Sequence, residues 1–214
     1  MFAEAGELAV SASYGFSGTE GQLAYAITDH IAMMANVNAK WSNLETAESD
    51  PAKQRHFFGE GGLGYYTTQE AVRFELFGGY GVGKSMSKAS AIMDFEERLA
   101  QGMYRRIFIQ PSIGTNNERF NIIFSPRISW VSFTKFSPYP DQSYSFLLKP
   151  GKAWFPFFEP ALTGRFPMGK VLHGYFQIGA NVAFQDYYYY YNYSTLNFTL
   201  GLQLRTGLLY KDGN

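Results

Sequence analysis

Cysteine is absent from this chain of 214 residues, which excludes disulfides, thiolate metal sites and a cysteine nucleophile. Histidine is scarce: His30, His56 and His173 are the only three. None has ligand spacing to another, so no metal site and no cofactor are expected. Neither charge is in excess, with 18 Lys and Arg against 18 Asp and Glu, and a nucleic-acid partner, which calls for a basic stripe, is not expected. Charged residues make up 17% of the chain, below the usual quarter. There is no run apolar enough for a membrane helix: Tyr187 to Leu204 carries no charge but is broken by Asn, Ser, Thr and Gln and alternates. The opening Met1–Gly6 has no charged start, apolar run or cleavage pattern. A removed leader or a longer precursor is therefore expected.

What is present is aromatic and glycine-rich: 20 Phe, 16 Tyr, 3 Trp and 22 Gly. The length fits one domain over residues 1–214. Period-2 alternation runs throughout. Leu196, Phe198, Leu200, Leu202 and Leu204 share one face of a strand, while Asn197, Thr199, Gly201, Gln203 and Arg205 share the other. Phe120–Trp130 and Ile31–Trp41 alternate in the same way, and so do Glu7–Gly15, Gln22–Thr28, His56–Thr67, Val72–Gly83, Tyr104–Thr115, Phe155–Arg165 and Val171–Phe184. These ten segments, most of about ten residues, have the length of tilted membrane-crossing strands. Only Ser87–Gln101 has room for a helix. The fold class is all-β, a single antiparallel up-and-down transmembrane barrel of about ten strands.

The joints alternate in length. Asp29-His30, Thr68–Ala71, Asn116–Arg119 and Phe166–Lys170 are short; Asn43–Gln54, Lys84–Met103, Phe136–Trp154 and Asp186–Tyr193 are long, and on their side only the first joint, Phe16–Glu20, is brief. Outer-membrane barrels have this asymmetry, with short periplasmic turns and long extracellular loops. The expected location is a bacterial outer membrane, with membrane lipid as the first partner. Trp41, Trp130 and Trp154 all border long loops, at the outer interface. Tyr187, Tyr188, Tyr189, Tyr190 and Tyr191 belong to the last long loop, as rim anchors or as a partner-binding patch. A soluble lipocalin-like carrier also alternates, with its apolar face inward. The opposite face here is a poor coat for water, because it has few Lys or Glu.

If the apolar face meets lipid, the lumen holds Glu60, Arg73, Glu75, Arg106, Gln110, Arg127, Glu159, Arg165, Gln177 and Arg205. Buried charges of both signs need partners, so a ladder of ion pairs is expected. Phe58, Phe77, Phe108, Phe157 and Tyr175 point the same way and should plug a narrow barrel. Gly59, Gly61, Gly62, Gly64, Gly78, Gly79, Gly81 and Gly83 are read as space for those rings. Gly78–Ser85 matches the phosphate-loop pattern G-x-x-x-x-G-K-S. The preceding Val72–Leu76 alternates like an antiparallel strand instead of a buried parallel one, so no nucleotide is expected. No nucleophile, base and orienting group stand together, and a non-enzymatic protein is expected.

Several stretches resemble small outer-membrane β-barrel proteins of Bacteroidota: Gly21–Ala32, Phe58–Tyr66, Phe74–Gly81, Phe108–Pro111 and Phe157–Ala161. The resemblance implies an outer-membrane location, framework lumen roles for Glu60, Glu75, Gln110 and Glu159, and no catalytic residue. Such proteins often begin with a lipidated Cys, which this sequence does not contain. The expected role is an accessory or scaffold subunit of an outer-membrane complex, alongside other outer-membrane proteins. A small-solute channel or transporter is the alternative.

Overall fold

The computed structural model describes residues 2, 4–44, 52–69, 71–89, 98–117, 119–139, 153–184 and 195–206. Among these, every regular element is a strand: β1 (Leu8–Gly15), β2 (Gly18–Ala26), β3 (Ile31–Leu44), β4 (Ala52–Thr68), β5 (Val72–Ala89), β6 (Arg98–Thr115), β7 (Asn121–Tyr139), β8 (Phe155–Pro167), β9 (Leu172–Ala180), β10 (Val182–Ala183) and β11 (Leu196–Arg205). All pairings are antiparallel. β10 continues β9 past Asn181 in the same register against β8, so the eleven elements form ten staves. Pairing of β1 with β11, and of β9 with both β8 and β11, closes the sheet.

Closure fixes the dimensions. From Asn121 the register passes through Arg165, Tyr175, Gly201, Ser13, Glu20, Asn38, Phe58, Gly83 and Tyr104 and returns to β7 at Phe133, twelve residues further along. With about 3.3 Å per residue and about 4.8 Å between strands, that stagger tilts the strands by about 40° and sets a backbone radius of about 10 Å. A bulge in the β6–β7 pairing at Met103/Tyr104 shifts the upper part of β7 by one residue.

The alternation places apolar side chains outside. Leu200, Leu202 and Leu204 are each at least half exposed, whereas Thr199 and Arg205 are buried. On β5 the outward residues Val72, Phe74, Leu76, Tyr80 and Val82 span about 25 Å at this tilt, the height of a barrel's lipid-facing band. A water-filled surround would leave this whole belt unburied, at about 25 cal/mol per Å² of apolar surface. The barrel therefore spans a membrane, and the inward-apolar arrangement of a soluble carrier is reversed.

Several expectations need correction. Ser87–Gln101 supplies no helix in its described part: residues 87–89 end β5 and residues 98–101 begin β6. β3 to β7 run 14, 17, 18, 18 and 19 residues, well beyond the ten or so expected. Above the membrane a strand meets water on both faces, so the apolar stripe that reveals it in sequence stops before the strand does. The phosphate-loop match lies entirely in β5 as extended strand. The run Tyr187–Tyr191 and the middle of Phe136–Trp154 lie outside the described residues.

Glycine divides between the faces. A Cβ on Gly79 would fall 2.5 Å from the Phe108 ring, on Gly81 2.6 Å from Phe58, and on Gly83 2.4 Å from Tyr104. Gly62 and Gly64 similarly lie under Phe108 and Phe77. These five make room for rings laid flat against the wall. Gly59, Gly61 and Gly78 face outward and meet only backbone oxygens, so for them the expected role is wrong.

Candidate functional site

The lumen holds its charges in two groups. In the middle, Glu60 on β4 receives Arg106 Nη2 at 2.8 Å, Arg127 Nη1 at 2.9 Å and Asn36 Nδ2 at 2.9 Å. Arg106 also reaches both oxygens of Glu159 at 3.3 Å, and Ser129 donates to the same carboxylate at 2.5 Å. Arg127 Nε donates to Gln110 at 2.7 Å. Each guanidinium also covers a ring, Arg106 over Phe58 at 4.6 Å and Arg127 over Phe108 at 4.4 Å. Five expected lumen residues thus form one network built from β4, β6, β7 and β8. Its geometry follows from the register, which puts Arg127 opposite Glu159 and Glu60 opposite Gly81, itself opposite Arg106. With no side chain at Gly81, Arg106 can lean across to Glu60.

The second group lies at the short-turn end. Arg205 is hydrogen-bonded to Glu7, Arg165 donates to Gln203 at 3.0 Å, and Arg73, Glu75 and Arg165 interact electrostatically. The single ladder of the sequence reading is therefore two clusters. It also omitted Glu7 and Glu20. Glu20 lines the lumen, within electrostatic reach of Arg127, Glu60 and Arg106. In the sequence it falls in the brief joint Phe16–Glu20, although its alternation with Gln22, Ala24 and Ala26 puts it on the inner face.

Between and above these groups lies a cavity of about 510 Å³. Its upper wall on β4, β6 and β7 is aromatic: His56, Phe58 and Tyr104 stack with interplanar angles of 3–11°, and Phe133 meets Tyr104 edge-on at 6.1 Å. His56 bridges Asn38 at 3.2 Å and the Tyr104 hydroxyl at 2.5 Å. The facing wall is polar, with Ser17, Gln22, Gln177 and Asn197. The lumen, expected to be largely plugged, contains this open space.

Toward the short-turn end one side of the lumen is filled by apolar side chains. Phe2, Met34, Tyr66, Phe77 and Phe108 are buried in one apolar cluster. The N-terminal segment supplies its last piece: Phe2 packs on Tyr66 at 5.5 Å, its N–H donates to Glu75 Oε1 at 2.8 Å, and Thr68 donates to its carbonyl at 3.1 Å. Ala5 N–H donates to Asp29 at 3.0 Å, in the turn between β2 and β3. No periodicity marks this contact, because Phe2 precedes the first strand.

Trp41, Trp130 and Trp154 occupy the long-loop side. Trp41 is 71% exposed, and Trp154 stacks on Arg105 at 4.9 Å. Among the described residues no three His, Asp or Glu are grouped as metal ligands. His30 instead stacks on Tyr65 at 5.5 Å in a short turn.

No protein-family model and no curated protein matches the sequence. The structure is similar to the translocator domain of the autotransporter NalP from Neisseria meningitidis, with a TM-score of 0.50 at 10% identity, covering 94% of this chain and 86% of that one. OmpT, an outer membrane protein of Vibrio cholerae, aligns over 94% of this chain and 96% of that one at 8% identity, with a TM-score of 0.28. The NalP likeness extends to the fold alone. Fold and apolar exterior together are those of a bacterial outer-membrane β-barrel.

Proposed function

We propose that this chain is a non-enzymatic protein of a bacterial outer membrane, with a largely plugged lumen, that serves as an accessory or scaffold subunit of an outer-membrane complex. The observation that carries this reading is the buried apolar cluster toward the short-turn end, into which Phe2 is held by Glu75. The luminal carboxylates support the non-enzymatic part. Glu60 and Glu159 are each held by arginine and a neutral donor, which suits a structural brace better than a proton-transfer pair. The work of such a protein falls to its rim and outer wall, where β4 to β7 rise above the membrane. The resemblance to barrels of Bacteroidota agrees with this placement. The test is gentle detergent extraction followed by sizing and identification of co-purifying proteins; a solitary monomer would count against it.

A small-solute channel or transporter is the second reading, favoured by the cavity of about 510 Å³ with one aromatic and one polar wall. Conductance in planar bilayers separates the two. A largely plugged lumen gives silence across voltages and salts, and discrete openings would favour the channel.

A further inference from the structure

The cavity in the lumen has two unlike walls, and the charges around it cancel. Among the described residues four glutamates line it against three arginines and Lys40, and Glu60, Glu159, Arg106 and Arg127 are paired with one another. An ionic ligand therefore finds no excess of either sign. The rest of the polar lining is neutral: eight Asn and Gln side chains, seven Ser and Thr, and the two tyrosines Tyr104 and Tyr175. At about 510 Å³ the cavity has the size of a small-ligand site, roughly 300–1,000 Å³.

The flat wall is built by β4 to β6. His56 Nε2 and the Tyr104 hydroxyl meet at 2.5 Å with 3° between the ring planes, so the two rings adjoin edge to edge in one surface. Asn38 holds the other ring nitrogen of His56 at 3.2 Å. Gly83 lets the Tyr104 ring lie flat, since a Cβ there would fall 2.4 Å from it. Arg106 covers the neighbouring Phe58, which is buried, whereas His56 and Tyr104 are only half-buried. Five staves from β5, directly across the barrel, stands β11 with Asn197. Its Oδ1 accepts Ser17 Oγ at 2.8 Å, which orients the amide and leaves its Nδ2 as a donor. One inward position nearer the short turns, Gln22 lies opposite Asn36 and Gln177 opposite Thr199. Neither glutamine makes a side-chain hydrogen bond among the described residues, and both line the open space.

Water satisfies the amides but has no use for a flat ring surface, and an apolar molecule would leave the amides unpaired. A molecule that meets both walls has hydroxyls around its edge and a face of C–H groups, which is the surface of a pyranose ring. We infer that the lumen cavity binds a short neutral saccharide, one ring lying on His56 and Tyr104 beside Asn38, with the remainder crossing to Asn197 and running toward Gln22 and Gln177. The inference goes beyond the accessory role and holds for a barrel that binds its ligand without passing it.

The test is saturation-transfer NMR on the purified barrel, in micelles of a detergent without a sugar headgroup, with maltose, cellobiose, lactose and diacetylchitobiose as probes. At least one should give saturable transfer, strongest from the C–H groups of one ring face. Tyr104→Leu removes the flat surface and should weaken that sugar about tenfold, while Tyr104→Phe should keep most of the affinity. Asn197→Ala should lose about fivefold, and Tyr80→Leu, on the lipid side, should change nothing. Urea unfolding checks each variant, and if Tyr104→Leu does not fold, Asn197→Ala decides. Transfer to none of the four sugars, unchanged binding in the folded variants, or tighter binding of indole or glucose 1-phosphate than of every neutral sugar would overturn the inference. A solitary monomer that binds sugar sinks only the accessory role, whereas a subunit of a complex that binds none sinks only this inference.

Discussion

Glu60 is the residue on which the middle of the lumen depends, and Glu60→Gln isolates its charge. The replacement keeps the shape and an oxygen for Asn36, but it removes the carboxylate to which both Arg106 and Arg127 donate. The Glu60 side chain is 2% exposed, and the two arginines are 17% and 15% exposed, so water screens the loss only in part. Removing one partner of a buried ion pair costs about 3–5 kcal/mol. Arg106 retains Glu159 at 3.3 Å and Arg127 retains Gln110 at 2.7 Å, which places the expected loss near the lower figure, about 3 kcal/mol. In a chain of this size that lowers Tm by about 6–12 °C. Urea unfolding in lipid vesicles, followed by the fluorescence of the three tryptophans, measures it. The double variant E60Q/R106Q should be less unstable than the sum of its single variants, because each removes what the other leaves unpaired. A Glu60→Gln barrel within about 1 kcal/mol of the parent, with additive single effects, would refute the network as a brace.

Three further outcomes follow from the same geometry. Gly83→Ala places a Cβ 2.4 Å from Tyr104 and should displace that ring from His56 at a cost of about 1–3 kcal/mol, with recovery in Gly83→Ala/Tyr104→Ala; urea unfolding reads both. Phe2→Ala removes the ring packed on Tyr66 but leaves the backbone bond to Glu75. It should destabilise by about 3 kcal/mol and, if Phe2 helps plug the lumen, raise ion leakage in planar bilayers. Leu200→Arg on the exposed apolar face should cost about 2–4 kcal/mol in a bilayer, whereas a surface exchange in a soluble protein would fall within about 0.5 kcal/mol.

The barrel was legible because the period of 2 persists wherever one face meets lipid and the other a polar lumen. Leu196–Arg205 is the clearest case. The signal failed where that contrast ends: Lys84–Lys88 and Arg98–Met103 are strand, but above the membrane both faces are polar. The lumen residues were legible as a set and not as partners. Parity puts Glu60, Arg106, Arg127 and Glu159 inside, but only the stagger, a property of the closed sheet, brings both arginines onto Glu60 and Arg106 onto Glu159 as well. Glu20 was lost because Gly18, at φ 109°, reads as the middle of a turn, when the strand begins at that residue. The glycines of β4 and β5 were read as one group, although parity alone separates Gly79, Gly81 and Gly83 from Gly59, Gly61 and Gly78. Phe2 is placed by tertiary contacts with Tyr66, Glu75 and Thr68, and no repeat in the sequence announces them.

The absence of cysteine makes the most direct measurement simple, since any cysteine introduced is the only one. Spin labels placed one at a time along β11, from Leu196 to Gln203, report access to oxygen dissolved in lipid and to a polar nickel reagent in water. Labels at Phe198, Leu200 and Leu202 should be open to oxygen and shielded from nickel, while those at Asn197, Thr199, Gly201 and Gln203 should show the reverse or be shielded from both. The opposite alternation, with the leucine face shielded from oxygen and the asparagine face bathed in water, would contradict a barrel that turns its apolar side to the membrane.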